Sequence, residues 1–199
     1  MTYRTEIENF IREAALPPDK FSHQPRLYTL ACSLAPAQDY DDDVLHAAAW
    51  LHDMGVFIGH RPTEPAALAV WDNVKYAVEQ VPVLLQRWDF PANKIPLVVQ
   101  AIREHLPSGS PHSMEGKLLR DADILEQLGA VGILRTVSKT GRDTRFIQHQ
   151  DALRVLRKNL EELPGKLALE TSKKIAQQRL TLMRDFLDAA DAEGQGLSL

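Results

Sequence analysis

Cysteine is almost absent from this chain of 199 residues: Cys32 stands alone. One thiol excludes an internal disulfide, and a protein in a reducing compartment needs none. Within "LYTLACSLA" it reads as a small core residue. A bias toward one sign of charge is nearly missing too. The 23 Lys and Arg stand against 27 Asp and Glu, a net charge of -4 with His neutral. That balance argues against non-specific nucleic-acid binding, where cations neutralise phosphates, and no sequence-specific nucleic-acid partner is expected. A local basic pocket for one small phosphate is compatible with it. No run reaches the roughly 18 apolar residues of a membrane span, and no N-terminal segment has the order of a signal peptide. No membrane partner and a cytoplasmic location are therefore expected. Alternating stretches bounded by hairpin turns are lacking, as are repeats, low-complexity tracts and long linkers.

What is present is helical spacing. Hydrophobic residues make up 44% and charged residues 25%, ordinary values for a soluble globular chain long enough to bury one core. "TEIENFIREAAL" puts Ile7, Phe10, Ile11 and Ala14 on one face, and Pro17-Pro18 ends it. "QPRLYTLACSLA" tolerates Pro25 in a first turn. Asp41, Asp42 and Asp43 suit a helix N-terminus as a solvated acidic cap before "VLHAAAWLHDMG", with Gly55 as the stop. "TEPAALAVWDNVKYAVEQ" is expected as one helix capped by Thr63, which Pro82 ends or kinks. "NKIPLVVQAIREHL" carries Pro96 near its start. An apolar stripe runs from Ser113 past Gly129 and Gly132, which mark close packing or a break. "DALRVLRKNLEEL" and a last helix over 170–193 follow. That helix puts Leu180, Met183, Phe186 and Leu187 on one side. The end, "GQGLSL", is expected to fray. The fold class is all-α, a single domain over 1–199.

One stretch breaks the apolar logic. "HAAAWLHDMGVF", residues 46–57, is built to be buried yet carries His52 and Asp53. A buried carboxylate is costly unless it is paired or bound to metal. Imidazole nitrogen with carboxylate oxygen suits Mn, Fe, Co, Ni or Zn better than Ca. Two ligands do not fill a coordination sphere, so others should stand at helix ends or inside apolar helices. His23, before "QPRLYTLA", and Asp123, in "LLRDADILEQLG", fit.

The order His…His-Asp…Asp resembles the HD-domain metal-dependent phosphohydrolases. "HQPRL" resembles the first His segment of that superfamily, "AAAWLHDMG" its central box and "DADILEQLGAVGILR" its closing Asp segment. "TSKKIAQQRLTLMRDFLDAADAE" is similar to the last helix of a bacterial subgroup of predicted HD hydrolases, so the resemblance spans roughly 20–193. It implies an all-helical HD-like core about 20–140, with C-terminal helices over 142–193 packed on it. It implies one divalent ion (Mn, Fe, Co, Ni, Zn or Mg), and a second in some members. The ligands it implies are His23, His52, Asp53 and Asp123, with Asp121 competing for the last place. The expected activity is hydrolysis of a small phosphate ester, a nucleotide among the candidates, by water activated on the metal. The alternatives are a catalytically silent metal and nucleotide sensor, or an interaction module with a structural metal.

Asp53 is the expected catalytic carboxylate: one oxygen on the ion, the other taking a proton from water. Arg26, one turn after His23, is the expected phosphate contact, against a core ion pair. His105, at the end of "AIREHL", is the third expected catalytic residue, for phosphate or a second metal. Arg61, Arg135 and Lys139 are weaker phosphate candidates. His60 is a weaker second-metal candidate, while His46, His112 and His149 read as surface. Trp50 reads as core. Trp71 and Trp88 also read as core, with a cleft floor as the alternative. Many family members follow the His-Asp-box Gly with Lys; here Val56 follows Gly55. That weakens a cyclic-dinucleotide phosphodiesterase role.

Overall fold

The computed structural model describes residues 2–35 and 39–195. Among them it forms ten α-helices and no strand, apart from an isolated bridge between Ile58 and Arg61. The chain gathers into two compact units, Met1–Arg120 and Asp121–Leu199.

In the first unit, α1 (Tyr3–Ala14), α2 (His23–Ser33) and α6 (Ile95–Glu104) pack on α3 (Asp42–Leu51). Val44 through Leu51 are all buried. A helix covered all round must be apolar all round, which is what "VLHAAAWL" supplies, His46 apart. Asp41 starts it, its carboxylate accepting from the N–H groups of Asp43 and Val44 at 3.0 and 3.3 Å. The acids are not merely solvated, however. Arg4 bonds Asp42 and Asp43, Lys94 bonds Asp41 and Asp43, and the Tyr28 hydroxyl donates to Asp42.

Several expectations change here. α3 stops at Leu51, four residues before Gly55, so His52 and Asp53 stand in a turn. Gly55 serves a close approach instead: a Cβ there would lie 2.6 Å from the Asn73 carbonyl oxygen. The expected helix from Thr63 is two helices, α4 (Pro65–Ala69) and α5 (Asn73–Arg87). Asp72 caps α5 by accepting from the Lys75 N–H at 2.8 Å. Pro82 does not end α5, which continues to Arg87. One missing N–H costs one helical bond, and buried Val81 and Leu85 hold this face. α5 packs on α6 and on the turn Met54–Val56. His46 is buried, 2% exposed, with Nε2 3.0 Å from a Glu8 carboxylate oxygen. Cys32 is half-buried rather than core.

The boundary between the units falls inside α7 (Met114–Glu126). In the second unit α8 (Gly129–Val137), α9 (His149–Glu162) and α10 (Glu170–Gly194) pack on one another. The apolar stripe from Ser113 breaks between α7 and α8. Gly129 there has φ +70°, and a Cβ on it would come within 2.9 Å of the Arg179 side chain. Met183 and Leu187 of α10 are buried; Leu180 and Phe186 are half-buried. Of the tail expected to fray, 196–199 lie outside the described residues. No described helix is long and apolar enough to cross a membrane.

Candidate metal centre

Adjacent residues on a helix point about 100° apart. His52 and Asp53 escape that because α3 has ended: His52 keeps helical dihedrals as its C-cap, and Asp53 has φ -101°, ψ 10°. The His52 Nδ1–H donates to the Ala49 carbonyl at 2.9 Å. That bond leaves the lone pair on Nε2. Nε2 is buried, has no hydrogen-bond partner among the described residues and lies 3.6 Å from Asp53 Oδ2. From the other side, the first residue of α2 brings His23 Nε2 to 3.8 Å from the same oxygen. The ligand atoms of His23, His52 and Asp53 all lie within 4.8 Å of one another.

These residues fit a divalent ion. A buried nitrogen lone pair without a donor is costly, and two imidazole nitrogens with one carboxylate oxygen are the donor set of first-row divalent metals. His105 joins them. It ends α6, is 2% exposed, and its Nδ1–H donates to the Ile102 carbonyl at 2.6 Å. Its ring centroid lies 5.0 Å from that of His52, edge to face. Arg26 is half-buried one turn along α2 from His23.

The two closing acids part company. Asp121 is fully buried and accepts from the backbone N–H groups of Ala168 and Leu169 at 2.8–3.1 Å, so its carboxylate anchors the start of α10. Asp123 is half-buried in α7 and accepts from the Gln127 amide at 3.2 Å. Both belong to the second unit.

The weaker candidates are mostly engaged elsewhere. Arg135 pairs with buried Glu126 at 3.4 Å, and Lys139 sits 5.3 Å from the centre of the Phe146 ring. Arg61 is half-buried in the loop after the His-Asp turn. His60 meets the Tyr76 hydroxyl at 3.0 Å, and burial pushes its pKa down. His112 and His149 are exposed; Trp50 is buried against Phe21 and His46. Sequence reasoning passed over Tyr76. Nothing in "NVKYAVEQ" marks a half-buried Tyr as a partner of a loop histidine sixteen residues earlier.

The HD domain family model matches residues 21–128, more than half of the chain. No curated protein matches it. A predicted HD superfamily hydrolase from an uncultured Thermotogales bacterium is 28% identical, covering 96% of this chain and 93% of its own, with a TM-score of 0.67. An HD-superfamily hydrolase from Bacillus thuringiensis is 22% identical over 97% of both chains, with a TM-score of 0.71. Bacillus subtilis YpgQ in complex with ADP is 22% identical, covering 98% of this chain and 96% of its own, with a TM-score of 0.74.

Proposed function

We infer that this chain, which belongs to the HD-domain family, is a metal-dependent hydrolase of small phosphate esters, with nucleotides the favoured class. The observation that carries the reading is the cluster of His23, His52 and Asp53, with the His52 Nε2 buried and lacking a hydrogen-bond partner. A purely structural His-Asp turn gains nothing from such a nitrogen. The nucleotide class is supported by the ADP bound to the fold neighbour YpgQ.

His23, His52 and Asp53 would hold the ion, and Asp123 is proposed from the resemblance as the fourth ligand. The engagement of Asp121 with α10 supports that choice over Asp121. A divalent ion held there supplies Lewis acidity, which lowers the pKa of water toward about 7. Asp53 Oδ2 faces the two imidazoles, and Oδ1 is assigned the proton from the attacking water. Arg26 binds a phosphoryl oxygen by its guanidinium fork. His105, its ring locked by the Ile102 carbonyl, orients the phosphate beside His52.

The test is elemental analysis of the untagged protein beside His52→Ala, with hydrolysis of ADP followed in both. The expected result is a divalent metal content matching the chain content, lost in the variant together with activity. A variant that keeps both metal and activity overturns the reading.

A further inference from the structure

The side chains of the proposed metal site are not held alike. That of His23 is 7% exposed and that of His52 0%, while the Asp53 carboxylate is 24% exposed, so packing fixes it least. His52 is also fixed by α3: its backbone N–H donates to the Ala48 carbonyl at 3.0 Å, and its ring to the Ala49 carbonyl. Asp53 lies past the end of that helix. Its place follows from the turn it opens, where its carbonyl accepts from the Val56 N–H at 3.0 Å and the Met54 carbonyl from the Phe57 N–H at 3.3 Å. Gly55, in the middle of that turn, is buried.

A side chain from outside the turn grips it there. The Trp71 Nε1–H donates to the Gly55 carbonyl at 2.8 Å. Trp71 is itself braced. Its backbone N–H donates to the Leu68 carbonyl at 3.3 Å, and Asp72, next in sequence, caps α5. Tyr76 packs on the indole at 5.3 Å between ring centroids. Asn73 closes on the same glycine, since a Cβ there would lie 2.9 Å from the Asn73 Cα. The two residues flanking the Asp72 cap thus hold Gly55, one by a hydrogen bond and one by contact. The preceding segment gives the indole no apolar reason to be there: α4 buries none of its residues, and Val70 is 84% exposed. A half-buried indole N–H needs some acceptor. Here the acceptor is a buried carbonyl, which needs a donor in turn, two residues from a proposed metal ligand.

We propose that Trp71 is a positioning residue for the candidate metal centre: by holding the Gly55 carbonyl it fixes the turn that presents Asp53 to His23 and His52. The proposal rests on the metal reading above for what Asp53 does, and on the turn itself for what Trp71 does. Groups that orient metal ligands govern affinity alongside the ligands themselves. Trp71 acts one step further out, on the backbone that carries the ligand, and touches neither ion nor substrate.

Two measurements on Trp71→Phe, which keeps an aromatic ring and removes the donor, test it. Amide hydrogen exchange, followed by NMR on the metal-free protein, reads the turn alone. The Val56 and Phe57 amides should exchange roughly five- to ten-fold faster than in the parent, the scale of one lost hydrogen bond, while the amides of α10 keep their rates. Calorimetry with Mn²⁺ reads the consequence, and affinity should fall about ten-fold, the low end for a lost orienting group. If Trp71→Phe fails to fold, replacing Trp71 by 3-benzothienylalanine, which keeps the bicyclic shape and puts sulfur where the N–H was, gives the same comparison. Val56 and Phe57 exchange that matches the parent, or that quickens only in step with the whole chain, overturns the clamp. Faster local exchange with unchanged Mn²⁺ affinity overturns it too, because Asp53 would then ligate without the turn being held. A parent protein that takes up none of Mn²⁺, Fe²⁺, Co²⁺, Ni²⁺ or Zn²⁺, while its turn still loosens without the Trp71 donor, supports the clamp and overturns the metal reading instead.

Discussion

Asp53 holds its Oδ2 between two imidazole nitrogens, at 3.8 Å from His23 and 3.6 Å from His52, so one carboxylate is asked both to ligate and to take a proton. Asn keeps an oxygen for coordination and loses the basicity. In Asp53→Asn, kcat should therefore fall ~100-fold, the low end for a general base, while metal content falls far less. Parallel losses, read by elemental analysis beside a rate assay, would sink the dual role. His46 teaches a different lesson. Six residues before His52, it does point elsewhere on the helix. Elsewhere is not solvent, because Glu8 of α1 and Tyr28 of α2 cover it. Helical angle gives a direction and says nothing of what lies in that direction.

α10 begins where Asp121 tells it to. Leu169, its N-cap residue, has no side-chain cap of its own. The N–H groups of Ala168 and Leu169 are bonded by Asp121 across more than forty residues of sequence. Asp121→Ala should cost roughly 1–3 kcal/mol, as loss of bonds to a buried charged acceptor does, read from urea denaturation. Metal content should be unchanged. A variant that loses its metal at unchanged stability would return Asp121 to the ligand set. α5 shows the same dependence on partners. Thr63 is a sound cap by composition, yet Asp72 caps the helix, because the chain between them makes the separate short α4.

Over the molecule as a whole, the acidic run that lowers the net charge also braces the first unit. Arg4 of α1, Tyr28 of α2 and Lys94 ahead of α6 converge on Asp41–Asp43 at the start of α3. Burial alone would raise the Asp43 carboxyl, but hydrogen bonds from Lys94 and Arg4 outweigh it and hold it below the usual carboxylate range. A carboxyl whose pKa is depressed on folding stabilises above its unfolded value, about 3.9 for Asp. That stabilisation is lost as pH falls through the folded value. Urea midpoints should thus be steady from about pH 7 to about pH 5 and drop below about pH 4. Asp43→Asn should lower the neutral-pH midpoint and flatten the acid drop. An unchanged acid slope would show that Asp43 contributes nothing to it.

The sequence by itself determined the helical class, most helix positions and the two kinds of donor in "HAAAWLHDMGVF". Apolar periodicity, capping residues and the cost of a buried acid are local properties. Tertiary structure alone decided which candidates meet. His23 and His52 stand twenty-nine residues apart and come together because α2 packs on α3. His105 reaches His52 because α6 packs on the same helix. The Trp71 tether to Gly55 and the engagement of Asp121 with α10 likewise depend on chain segments brought together by packing. Periodicity identifies the face of a helix that must be covered; which segment covers it, and which polar atoms then find each other, is settled only when the helices pack.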